Sequence, residues 1–178
     1  MSERLILGLD PSTCFGVCVA SEAGKVVYTK EISYPKLAGF ERISAILADV
    51  LDVYQMFKPS SVVVEGMIVG HAASAISVIQ VATLLRYFLW QEGISYLEVS
   101  PSTLKKFICG VGNAKKEQMM MWVSKRYGFE SPTNNVADAV GLAMVGVAAL
   151  GGPCNGSQKT IIEGLLAPSS KSKSKARK

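Results

Sequence analysis

The stretch Leu5-Ile6-Leu7-Gly8-Leu9-Asp10-Pro11-Ser12-Thr13-Cys14-Phe15-Gly16-Val17-Cys18-Val19-Ala20 decides the fold. An apolar run ends on a carboxylate, Asp10. Pro11 has no amide hydrogen to continue a ladder, and Ser12-Thr13 favours a turn. A second apolar run begins at Phe15. The pattern is a buried strand, a tight turn and an antiparallel return strand, with Asp10 at the strand's end. A carboxylate in that setting is costly to bury unless a cation meets it.

The rest of the chain repeats the theme. Ala23-Gly24 makes a hairpin turn into a third strand at 25–33. Over 39–57 the period becomes helical, with Phe40, Ile43, Ile46, Leu47, Val50, Leu51 and Tyr54 on one stripe, and Lys58-Pro59 ends it. Ser61-Val62-Val63-Val64-Glu65 is again an apolar strand ending on an acid. Gly66 and Gly70 bound a loop, 72–90 is a long apolar helix, and 94–99 is a strand. Ser100-Pro101-Ser102 opens a short helix to Ile108, and Gly110-Val111-Gly112 turns into a helix at 115–127 that Gly128 closes. Thr133 or Asn134 caps a last helix to about Leu150, with Asp138 in its first turn. Its Val136, Val140, Ala143, Met144 and Val147 would pack on the sheet. Beyond Gly151-Gly152-Pro153 only a weak helical hint remains, at 160–166.

This order predicts an α/β fold: a mixed five-stranded sheet of three antiparallel meander strands plus two crossover strands, flanked by helices. Residues 1–151 form one domain, and 152–178 form a C-terminal extension whose low-complexity end, 169–178, is expected to be disordered.

Composition narrows the function. At 49% hydrophobic residues over 178, the chain can bury a core. No apolar run approaches a membrane span, and the first strand begins too early for a signal peptide, so a cytoplasmic location is expected. Cys14, Cys18, Cys109 and Cys154 form no CxxC pair, and His71 is the single histidine, which argues against a zinc or histidine-based site. The tail 169–178 carries five of the 19 basic residues and no acid, so the remaining body is neutral. Within that body Lys105, Lys106, Lys115, Lys116, Lys125 and Arg126 cluster against Glu117 alone. A basic zone on a neutral body suggests a polyanionic partner.

If the strands ending on Asp10 and Glu65 are parallel neighbours, their carboxylates emerge together, and Asp138 meets them from the last helix. Clustered carboxylates repel and need divalent cations to coexist ionised. All-oxygen donors favour Mg²⁺, with Mn²⁺ as a substitute. Two such ions suit phosphodiester hydrolysis.

Five motifs carry a resemblance: Gly8-Leu9-Asp10-Pro11-Ser12 with Gly16; Val62-Val63-Val64-Glu65; Pro101 to Lys105; Gly110-Val111-Gly112-Asn113-Ala114-Lys115-Lys116; and Ala137-Asp138-Ala139. Over residues 4–150 the chain resembles RuvC-type Holliday junction resolvases, of the ribonuclease H-like superfamily. The resemblance implies a homodimeric endonuclease that nicks opposing strands of four-way DNA junctions. It implies Asp10, Glu65 and Asp138 as catalytic metal ligands, and Lys105 and Lys116 as phosphate contacts, with Lys106, Lys115 and Ser12 beside them.

The chain departs from that family twice. Where an acid is usual, three residues before the last aspartate, stands Asn135. It lies one helical turn from Asp138 and is expected to face the metals with an uncharged oxygen. An aspartate there would be expected to draw the ions more strongly, so the alternative reading is a junction-binding protein of the same fold with weakened or absent cleavage. After Glu65, where relatives often carry an aromatic wedge, Met67 and Ile68 offer a smaller apolar one. An actin-like phosphotransferase shares the first motif, but 178 residues leave no room for its second half. Core packing is the expected role of Met119-Met120-Met121.

Overall fold

A computed structural model describes residues 3–67 and 74–167. Ile68 and the tail 169–178 lie outside the described residues.

The strands are β1 (Leu5–Asp10), β2 (Cys14–Ser21), β3 (Val26–Ser33), β4 (Ser61–Glu65) and β5 (Leu97–Val99), ordered β3-β2-β1-β4-β5 in one sheet. β1, β2 and β3 pair antiparallel, and β4 joins β1, and β5 joins β4, in parallel. This is the mixed sheet expected from the order of elements. The helices are α1 (Gly39–Phe57), α2 (Ser74–Gln91), α3 (Pro101–Cys109), α4 (Lys116–Tyr127), α5 (Asn134–Ala149) and α6 (Gly156–Leu166).

Strand alternation sorts the core into two layers. Leu7, Leu9, Phe15, Val17, Val19, Val62 and Val64 pack with α1 and α2 on one face. Ile6, Cys18, Ala20, Val63 and Val99 pack with α3, α4 and α5 on the other. α1 buries Ile43, Ile46, Val50 and Val53, whereas Phe40, in its first turn, is exposed.

α5 is the central helix and is buried nearly all round, Val136 to Ala148 with Asp138 the exception. It lies directly on the sheet backbone. A Cβ on Gly8 would overlap the Ala139 carbonyl oxygen and stand 2.5 Å from the Ala143 nitrogen. One on Gly16 would overlap the Asn135 carbonyl. Only glycine permits this approach. Thr133 caps the helix by accepting from the Val136 N–H. Since the helix begins at Asn134, Asp138 opens its second turn rather than lying in its first.

Two elements differ from the sequence expectation. β5 spans three residues, because Ile94 N–H is drawn back to Leu89 O at the end of α2. The weak hint after Gly152 is a complete helix, α6, capped by Asn155 and Gln158 and packed on α3 and α5. Its buried Gln158 donates to the Phe107 carbonyl at 3.1 Å and the Tyr127 hydroxyl at 3.2 Å. Of the three methionines, Met119 is core, Met120 half-buried and Met121 exposed. The next residue, Trp122, has Lys125 and Arg126 over its ring, 5.3 and 5.0 Å from the ring centre.

Candidate active site

The acids converge because two strand ends and one helix converge. Leu9 pairs with Val64, so Asp10 and Glu65 leave the sheet side by side. Both strands alternate to the α5 face, and α5 sits on Gly8 and Gly16, which brings Asp138 over the pair. Asp10 is 5% exposed and has no cationic hydrogen-bond or ion-pair partner among the described residues.

Burial and mutual repulsion dominate the electrostatics. Burial, then the charges of Glu65 and Asp138, hold Asp10 well above the usual carboxylate range. Burial, then Asp138, pushes Glu65 up to about 7. Burial raises Asp138 to about 6, against the opposing pull of Lys105 and Lys116. The interaction between the two carboxyls raises Asp10 further and draws Glu65 down in part. Among the described residues no three of His, Cys, Asp and Glu close around a single point as a one-ion cage. Asp10 and Glu65 leave adjacent strand ends, and Asp138 belongs to the helix that covers that face. Hard-oxygen donors that raise each other's pKa and form no salt bridge among the described residues fit divalent cations of the Mg²⁺ type.

The linkage gives a prediction. Folded-state values above the unfolded ones mean that the folded chain holds extra protons between about pH 4 and pH 7. Their contribution is complete below that window and is lost as pH rises through it. The metal-free Tm is expected to fall from pH 5 to pH 8 by more than that of Glu65→Gln, and Mg²⁺ to restore it. Equal slopes in both proteins would contradict the arrangement.

The other expected site residues divide. Lys105, on α3, and Lys116, opening α4, both act electrostatically on the acids, the first on Glu65 and Asp138, the second on Asp10 and Asp138. Neither Lys106 nor Lys115 registers on any of the three; both are exposed. Ser12 spends its hydroxyl on its own turn, donating to Cys14 O at 2.6 Å and accepting from Cys14 N–H at 3.2 Å. Met67 is exposed at the rim of a cavity of about 240 Å³ lined by Pro11, Glu65, Val78, Ile79 and Pro101. Asn135 does not stand free: its Nδ2 donates to Glu31 Oε2 at 3.0 Å, and Thr133 Oγ1 donates to the same oxygen at 2.6 Å. An aspartate at 135 would have a further carboxylate, that of Glu31, beside it.

Sequence reading missed two supports, Glu31 and Arg86. Arg86 donates to the Glu65 carbonyl at 2.9 Å and to Glu98 at 3.0 Å, fastening the end of β4 to α2. Its signal was available: it is the only charge in the otherwise uncharged α2. Glu31 gave none, because its role depends on strand register.

Residues 6–146 match the family model described as Crossover junction endodeoxyribonuclease RuvC. The chain belongs to the RuvC family. A RuvC of Carboxydothermus hydrogenoformans is 30% identical over 154 residues, covering 83% of this chain and 98% of that one. The RuvC of Chloroherpeton thalassium is 31% identical over 150 residues, covering 80% and 81%. Among solved structures, Thermus thermophilus RuvC superposes with a TM-score of 0.67 at 23% identity, over 83% of this chain and 97% of that one. The same protein in complex with a Holliday junction substrate gives 0.67 at 24% identity, over 79% and 91%. These structural likenesses establish the ribonuclease H-like fold. No helix among the described residues is long and apolar enough to cross a membrane.

Proposed function

We propose that this chain is a metal-dependent crossover junction endodeoxyribonuclease that cuts four-way DNA junctions as a homodimer. The observation that carries the reading is the Asp10–Glu65–Asp138 cluster, buried with no salt bridge among the described residues and acted on by Lys105 and Lys116, in a chain of the RuvC family. Asp10, Glu65 and Asp138 would hold two divalent ions, Mg²⁺ or Mn²⁺, with the Asn135 oxygen at the margin. Bound there, such ions activate water and stabilise the leaving oxygen of a phosphodiester.

The chain's own residues do the rest. Lys105 and Lys116 sit on two different helices and hold the backbone phosphates on either side of the scissile bond. Lys106 and Lys115 extend the basic surface outward, and Ser12 stiffens the turn beside Asp10. Arg86 keeps Glu65 from retreating along β4. Met67 and Ile68, which follow Glu65 closely in the chain, would supply an apolar wedge for the junction centre. On α2, Ile76, Tyr87 and Trp90 form one exposed stripe, which supplies apolar surface for a second copy.

The test is a substrate panel. Four-way junction, duplex, flap and RNA–DNA hybrid are incubated with Mg²⁺, Mn²⁺ or chelator. Symmetric nicks in the junction alone, abolished by chelator, are expected. Junction binding with no nick at any metal concentration would support the binding-only alternative.

A further inference from the structure

Glu31, Gly16 and Asp10 occupy one row of the sheet. Asp10 pairs with Gly16 across β1 and β2, and Gly16 pairs with Glu31 across β2 and β3. Partners across adjacent strands point to the same face, here the face covered by α5. Gly16 contributes no side chain, and the Asn135 backbone fills the space above it. Asn135 therefore stands between a carboxylate of the cluster on one side and Glu31 on the other.

The two ends of an asparagine amide differ chemically: one accepts and the other donates. Glu31 is acceptor-only when ionised, and its Oε2 takes both the Asn135 Nδ2 and the Thr133 hydroxyl. That commits the donor end of the amide to β3. The acceptor end, Oδ1, is turned away from Glu31, and among the described residues no hydrogen bond engages it. Asn135 and Asp138 are one helical turn apart, so the two side chains share one side of the helix.

We propose that Glu31 is a positioning residue for the metal site. It locks the Asn135 amide with its oxygen toward the acids, and it makes asparagine, rather than aspartate, the side chain that fits at 135. The proposal rests on the metal-site reading above and adds what that reading lacks. The acid missing from α5 has a counterpart on β3, which sets the orientation of residue 135 through a hydrogen bond. Residues 31 and 135 should therefore behave as one unit, with one carboxylate and one amide between them.

The experiment titrates Mn²⁺ and Mg²⁺ into the full chain by calorimetry and records Tm with and without metal. Asp10→Asn serves as the control for the site itself. If that variant binds both ions as the unaltered chain does, the metal-site reading fails, whatever Glu31 does. With that control behaving, Glu31→Ala is expected to weaken metal binding about tenfold or more, as loss of a residue that orients a ligand does. Glu31→Gln, which retains an acceptor oxygen, should stay close to the unaltered chain. A role confined to holding the helix cap through Thr133 would lower Tm but leave the titration unmoved, and that result overturns the proposal. The charge swap gives a second readout independent of metal. Asn135→Asp should lower the metal-free Tm by about 3 °C or more, because two carboxylates then meet at hydrogen-bond distance. In the Glu31→Gln background, where the glutamine amide can donate to the new aspartate, less than half of that loss should remain. Equal losses in the two backgrounds would show that residues 31 and 135 are not coupled, and would overturn the proposal as well.

Discussion

Asp10→Asn is expected to abolish junction cleavage, by about a thousandfold or more, while junction binding stays near that of the unaltered chain. A factor of that size corresponds to about 4 kcal/mol, the scale on which metal ions stabilise charge in a transition state. The amide keeps the shape of the side chain and removes its charge. Asp10 is the most deeply buried of the three acids and is repelled by the other two. The variant should therefore be no less stable without metal, and above pH 7 more stable, since it relieves the repulsion. That separates lost chemistry from lost folding. Undiminished cleavage by purified Asp10→Asn would remove the acid cluster from the mechanism.

The second large effect is mechanical. Gly16→Ala adds one methyl group where the Asn135 carbonyl lies, 2.6 Å from its carbon. The obstacle is backbone, so no side chain can rotate out of the way. Overpacking of this kind costs about 1–3 kcal/mol or more, and at about 2–4 °C per kcal/mol for a chain of this size Tm should fall by about 4 °C or more. The start of α5 would lift and carry Asp138 from Asp10, so cleavage should fall with Tm. Gly164→Ala makes the control. Gly164 lies inside α6 with open space around it, and alanine is the better helix former, so Tm should hold or rise. A Gly16→Ala protein as stable as the unaltered chain would mean that α5 does not rest on the backbone of β2.

The contrast between these positions shows what could be read from the sequence. Asp10 and Glu65 were legible because each ends an apolar run, and the order of elements set their strands side by side. Asp138 was legible through its motif and its place near the start of a capped helix. Glu31 was not. β3 is half-buried along most of its length, so its pattern shows no clear inner face, and the partner that gives Glu31 its role lies 104 residues away. The helical period placed Asn135 on the Asp138 side of α5, but its bond to Glu31 depends on the strand beside the helix. α6 was faint for a related reason. It buries one large apolar side chain, Ile162, and one polar one, Gln158, so its anchor looked like a surface residue. The end of β4 is another non-local case, since the Arg86 contact to Glu65 spans 21 residues.

The Gln158 contact has a consequence for how the molecule would come apart. Phe107 lies in the last turn of the helix that bears Lys105, and Tyr127 ends the one that bears Lys116, so a single amide ties the two lysine-bearing helices together from behind. The acids depend on no such tie, since they hang from the central strands and α5. A cut in the 151–155 linker, or a leucine at 158, would strike the two halves of the site unequally. The acid cluster would keep its arrangement, while the two lysines lost their common tie and drifted independently. Such a protein would still take up Mg²⁺ but would let DNA go, failing first in its grip and only later in its chemistry.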